Sequence, residues 1–165
     1  MKHKSFYAVV LFALCMLQVG WTAVQAVPSE RSLEVKVNYT GSGIVDAKHK
    51  IYVMLFDANP MTATTLVDST SGPTPAVSSG VSHILARQST DSRNGKITFS
   101  NLTAPKVYAA AFFDKTGQYH GVADPSPGSP MGLYGTFPDQ LTAITTENAK
   151  TVRVTISFDD SHSTP

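Results

Sequence analysis

Leu33-Glu34-Val35-Lys36-Val37-Asn38 alternates apolar and polar side chains one by one, and Val152-Arg153-Val154-Thr155-Ile156-Ser157-Phe158 repeats the pattern near the C-terminus. A period of two puts every apolar residue on one side of an extended backbone, so both segments read as strands with one face on a core and one face outward. Two further segments carry apolar residues on both faces. These are Ile51 to Phe56 (Ile-Tyr-Val-Met-Leu-Phe) and Val107 to Phe113, with its small Ala109, Ala110 and Ala111. Their length and flanking turns favour central strands covered on both sides over buried helix.

Between them, Val81 to Gln88 and Lys96 to Ser100 flank Asn94-Gly95, a hairpin-type turn signal. Leu141 to Thr145 is a seventh candidate strand, and Gly41-Ser42-Gly43 marks the turn after the first. The stretches 57–80, rich in Thr, Ser and Pro, and 114–140, rich in Gly and Pro, show no periodicity and read as long loops. No helical stripe and no internal repeat is evident. The expectation is a single all-β domain over residues 27–165, an antiparallel β-sandwich of about seven strands with its strand core at about 33–158. Ile51, Val53, Leu55, Ile97, Phe99, Leu102, Ala109, Ala111, Val154 and Ile156 are expected to face the core.

Residues 1–26 read as an export signal. Lys2, His3 and Lys4 form a basic start, Phe6 to Val19 is an apolar run too short to span a bilayer, and Val24-Gln25-Ala26 offers a small-x-small cleavage site before Val27. Leu14 before Cys15 is too large for lipoprotein processing. The expected location is therefore periplasmic or extracellular. The only cysteine and the only tryptophan, Cys15 and Trp21, fall within the signal. Thiol nucleophiles, disulfides and cysteine metal sites are then excluded from the mature chain. With Lys2 and Lys4 gone, 13 basic against 12 acidic residues becomes 11 against 12, a net charge of −1 with histidines neutral. Such a scattered, balanced charge gives no basic stripe for nucleic acid, and no second long apolar run could span a membrane.

The run Asn94-Gly-Lys-Ile-Thr-Phe-Ser-Asn-Leu-Thr-Ala-Pro-Lys-Val-Tyr-Ala-Ala-Ala-Phe-Phe-Asp114 resembles the transthyretin-like, carboxypeptidase regulatory-like (prealbumin-like) superfamily, in particular its bacterial exported domains without an assigned activity. The resemblance extends loosely over Leu33 to Phe158. Pro105 is followed by Lys106 and Val107 where the family corner commonly reads Pro-Gly before a Tyr, which here is Tyr108. The segment Asp114 to Pro125 is similar to the family's Asp-, Asn- and Gly-rich loop. The resemblance implies an exported, non-catalytic module. The chain ends Phe158-Asp-Asp-Ser-His-Ser-Thr-Pro165, unlike the Tyr-Arg-Gly-Ser terminus of the family's purine-derivative hydrolases, and contains no His-x-His of the kind dioxygenases on a similar sandwich would need.

If strand direction alternates, one end of the sandwich gathers Asp46, Asp91, Asp114, Asp124, Asp159 and Asp160. Clustered carboxylates suit a hard cation, so Asp91, Asp114, Asp124 and Asp159 are candidate calcium ligands, with calcium the one cofactor considered. The competing reading is that they are turn aspartates bonding their own backbone. Tyr119, Tyr134 and Phe137 are candidate rings for stacking on a sugar or other small ligand, against a reading in which they fold back on the sandwich. His49, His83, His120 and His162 include no i, i+2 or i, i+4 pair, and no Gly-x-Ser-x-Gly elbow occurs. Asn38-Tyr-Thr40 and Asn101-Leu-Thr103 are acceptor sequons, of use only in a glycosylating host. The expected function is an exported accessory or interaction module with a protein or glycan partner outside the cytoplasm. The alternatives are a carbohydrate or small-ligand binder using residues 114–140, and a hydrolase or metal enzyme using scattered His and Asp.

Overall fold

A computed structural model describes residues 31–70, 80–121, 125–136, 140–147 and 150–164. The expected signal segment with its Val27 cleavage point, Asp124 and Phe137 lie outside the described residues. Within them the chain forms eleven strands and no helix: β1 (Ser32–Tyr39), β2 (Ile51–Phe56), β3 (Thr65–Asp68), β4 (Val81–Thr90), β5 (Lys96–Phe99), β6 (Lys106–Phe113), β7 (Met131–Leu133), β8 (Gly135–Thr136), β9 (Gln140–Leu141), β10 (Ile144–Thr145) and β11 (Thr151–Phe158). The smaller sheet runs β11-β1-β5 and the larger runs β10-β6-β2-β4-β3, with β7 also on β6 and β8-β9 forming a separate ribbon. Among the described residues no helix is long and apolar enough to cross a membrane.

The two sheets enclose one core, the arrangement of a β-sandwich. Leu33, Val35 and Val37 of β1 and Ile156 of β11 meet Ile51, Val53 and Leu55 of β2, all fully buried, with Ala109 and Ala111 of β6 beside them. All ten residues expected to face the core do so. The alternation of β1 and β11 has the cause read from sequence, because the smaller sheet has its core on one side only. The doubly apolar β2 and β6 are central and covered on both sides. Their outer faces contribute Met54, Phe56 and Phe112 to a second cluster closed by Ile84 and Tyr119.

Two expectations need correction. The sheets are not purely antiparallel. β1 and β11 pair in parallel over eight residues, from Ser32 opposite Thr151 to Tyr39 opposite Phe158, and β3 lies parallel to β4. β11 lays Val154, Ile156 and Phe158 on the same core as Val35, Val37 and Tyr39 of β1, and it enters that place running in the same direction as β1. The long loops also hold strands. β3 falls within 57–80, and β7 and β8 fall within 114–140. They are two to four residues long, too short for period two to register.

β2 and β4 slip register between Leu55 and Phe56, leaving Leu85 as an extra residue on β4. A bulge of this kind interrupts the ladder. Asp57, next in the chain, repairs it: Oδ1 accepts the His83 backbone N–H at 2.7 Å and Oδ2 lies 2.6 Å from His83 Nδ1. Both side chains are buried, at 7 % and 4 % exposure. Ser82 Oγ donates to Ala58 O at 2.8 Å alongside.

Candidate functional site

The ends of β1 and β11 are tied together by side chains far apart in sequence. Tyr39 Oη donates to Asp160 Oδ1, while Asp160 Oδ2 accepts the backbone N–H and hydroxyl of Ser42 at 2.8 and 2.7 Å. Arg93 donates to Gly41 O at 2.9 Å and to Gly43 O, and its guanidinium carbon lies 5.2 Å from the Tyr39 ring centre. The same ring packs against Phe113 and Phe158, each 5.0 Å away between centroids. Burial, then the bond to Asp160, pushes the Tyr39 hydroxyl up to about 12, and the Ser42 and Tyr39 donors hold Asp160 below the usual carboxylate range.

These values fix a direction for alkaline sensitivity. The folded state holds the Tyr39 proton more tightly than the unfolded chain does, so the stabilisation is fully present below pH 10 and is lost as pH rises toward about 12. Tyr39→Phe is expected to remove this component and to cost about 1–2 kcal/mol near neutral pH by deleting the hydroxyl bonds. Urea titrations of both proteins between pH 8 and 11.5 check both numbers.

Beyond Phe158 the chain turns sharply. Asp159 Oδ1 accepts the backbone N–H of Ser161 at 2.9 Å and its hydroxyl at 2.5 Å, and these bonds lower its pKa. The tail then runs back along residues 128–131: Met131 N–H donates to His162 O, Thr164 N–H to Ser129 O and Gly128 N–H to Thr164 O, each at 2.9 Å. Gly132 is required where β7 crosses β11, since a Cβ there would sit 2.5 Å from Phe158 Cβ. The crossing leaves an open cleft of about 320 Å³. Its apolar side is Met131, Leu133 and Phe158, and its polar rim is Thr40, Ser157, Asp159, Ser161 and His162. Gly135, from the start of β8, completes the lining.

The rim places the Ser161 hydroxyl between Asp159 and His162, 2.8 Å from His162 Nδ1. In a hydrolytic triad the imidazole stands between carboxylate and hydroxyl, so that it can take the hydroxyl proton. Here the hydroxyl proton already points to the carboxylate. The order suits hydrogen bonding to a ligand and does not generate a nucleophile.

The other sequence candidates disperse. The loops of Asp46, Asp91, Asp114 and Asp160 do come to one end, shown by Asp114 N–H donating to Lys50 O at 2.9 Å and by Arg93 reaching Gly41. Their carboxylates serve separate turns. Asp46 Oδ1 accepts the backbone N–H groups of His49 and Lys48, which lower its pKa, and Nδ1 of His49 lies 3.0 Å from it. Asp91 is exposed on the β4–β5 turn. Among the described residues no three His, Cys, Asp or Glu side chains could hold a metal ion together. The stacking expectation is corrected at Tyr119, a residue only 7 % exposed whose ring packs edge-on against Tyr52 and Phe112 at 4.7 and 4.9 Å. An apolar sheet face needed a cover, and this ring supplies it. Tyr134 is half-buried against the main core.

Asp114 explains the cover. Buried to 2 % exposure, its Oδ1 accepts from the Thr116 backbone N–H and hydroxyl and the Gly117 backbone N–H, and its Oδ2 accepts from the Tyr119 N–H at 2.8 Å. Gly117, at φ +64°, makes the turn possible. Asp114→Ala strips four donors of their acceptor, an expected loss of about 2–3 kcal/mol. Thermal melts with calcium and with chelator check it. The loss is expected to be equal in both, whereas calcium raising only the wild-type midpoint would reassign the carboxylate to a cation.

Sequence reasoning missed the Asp57–His83 pair and the joining of Tyr39, Arg93 and Asp160. His83 lies 26 residues from Asp57, Arg93 lies 52 from the Gly41 carbonyl it bonds, and Asp160 lies 121 from Tyr39, separations that leave no local spacing signal. No family model, curated protein or solved structure matches this chain.

Proposed function

We propose that this protein is an exported, non-catalytic interaction module that receives a partner or ligand in the cleft between β7 and the end of β11. The observation that carries this reading is the cleft itself, with an apolar side of Met131, Leu133 and Phe158 facing a rim of hydroxyls and one carboxylate. Binding sites combine an apolar wall with a few placed polar groups in this way. The Tyr39–Asp160 bond and the Arg93 bonds to Gly41 and Gly43 hold the rim in place, so little ordering entropy is lost on binding. The sequence resemblance to transthyretin-like exported modules supports the same class.

A glycan ligand is the second reading, favoured by the hydroxyls of Thr40, Ser157 and Ser161 standing beside the Asp159 carboxylate on the rim. It keeps part of the 114–140 segment in the site, through β7 and Gly135. The test uses Thr40→Trp, which fills the exposed rim. Thr40 bonds Phe158 O through its backbone at 2.9 Å, a bond the substitution retains. Wild type and variant, matched for melting midpoint, are compared on a glycan array and as baits for envelope and secreted fractions. Species captured by wild type are expected to be lost by the variant. Equal capture by both would remove the cleft from the function.

A further inference from the structure

Among the described residues β11 is an edge strand with no strand paired along its outer edge, and β7 crosses it only at its end, at Phe158. β11 ends the order β11-β1-β5 and pairs in unbroken register with β1. The bonds Ser32 N–H to Lys150 O and Thr40 N–H to Phe158 O show which residues turn their peptide groups toward β1: the even-numbered ones. By the alternation of a parallel ladder, the N–H and C=O groups of Thr151, Arg153, Thr155 and Ser157 point away from the sheet. Proteins blunt such edges with proline, lysine, bulges or short length. β11 has eight residues, no proline or glycine and no bulge, and its one charged side chain, Arg153, lies toward Glu34 of β1. The other edges are short or covered. β3 and β5 have four residues each, β10 has two, Gln88 Nε2 donates to Thr98 O on β5, and the tail pairs along residues 128–131 beside β7.

From this edge we infer that a second copy of the chain pairs with it, β11 antiparallel to the partner's β11 about a two-fold axis at Ile156. Strand complementarity selects the copy and the register. With Ile156 opposite itself, Thr155 lies opposite Ser157, Val154 opposite Phe158, and Arg153 opposite Asp159, each contact occurring twice. Apolar residues then meet on the core face, and hydroxyl and opposite-charge pairs meet on the outer face, the combinations that stabilise neighbouring strands. The register also places the outward peptide groups of Thr155 and Ser157 face to face, as an antiparallel ladder requires. Arg153 is 72 % exposed, 3.6 Å from Glu34, and able to reach a second carboxylate. The two smaller sheets become one six-stranded sheet, and each copy brings an arginine to the Asp159 rim of the other's cleft. A two-fold interface of this kind closes on itself, so the assembly stops at two.

Sedimentation of the purified protein from about 1 to 100 µM, with no ligand added, tests the pairing separately from the cleft reading. A reversible dimer is expected. Thr155→Pro removes an outward N–H that no bond among the described residues uses, as edge strands tolerate, and is expected to weaken the dimer more than tenfold with little change in melting midpoint. Arg153→Asp and Asp159→Arg are each expected to weaken it, and the double swap to restore it, a readout that does not depend on the proline variant folding. A monomer throughout the range would overturn the inference. So would a dimer indifferent to Thr155→Pro, or one in which the double swap fails to recover what the single changes lose.

Discussion

Asp57→Ala is expected to cost about 3–5 kcal/mol, the scale for breaking a buried polar pair while leaving its partner in place. Asp57 accepts both the backbone N–H and Nδ1 of His83 at 2.7 and 2.6 Å, and both side chains are more than nine-tenths buried. Removing the carboxylate leaves two donors facing a site water reaches poorly, at the point where β2 and β4 have already lost a rung to the bulge. Asp57→Asn retains an acceptor for the backbone N–H and should cost clearly less. Equilibrium urea unfolding of the three proteins measures the difference. An alanine variant within about 0.5 kcal/mol of wild type would show that the pair contributes nothing net to stability.

Leu55→Ala is the second large effect, at about 3–5 kcal/mol. Leu55 has no exposed surface and lies on the core face of the central strand of the larger sheet. Ala86 stands opposite it on β4 and Ala109 on β6, so its flanking neighbours are already small and cannot lengthen to refill the space. The cavity therefore stays largely open, which places the cost in the upper part of the range for such truncations. Met54, one residue earlier, belongs to the outer cluster under Tyr119. Met54→Ala should cost less, because its cover is a loop segment able to settle inward. Chemical denaturation of both variants orders them, and an equal cost would mean that the outer cluster is as rigid as the core.

The parts of this fold legible in the sequence are those with a local physical cause. Alternation in β1 and β11, and its absence in β2 and β6, follow from which strand faces meet apolar neighbours, and the residues themselves carry that pattern at a spacing of two. The ten core residues were legible for this reason. Asp159 was legible as a candidate because it stands at a strand end, where a carboxylate either turns the chain or meets a ligand; here it turns the chain and also lines the cleft.

Other features depend on which distant segments become neighbours. Asp114 reads the same in sequence whether it binds a cation or its own loop, and only the folded chain directs Thr116, Gly117 and Tyr119 toward it. Tyr119 has the composition of a stacking platform, yet the outer face of β2 and β6 is apolar and the ring is drawn onto it. Tyr39 and Asp160 are 121 residues apart and meet because β1 and β11 lie parallel and end together. The cleft arises where Gly132 lets β7 cross against Phe158. Strand positions and faces come from short-range periodicity. Sheet order, the two parallel ladders and the cleft come from long-range burial, which sums over the whole chain and leaves no local signature.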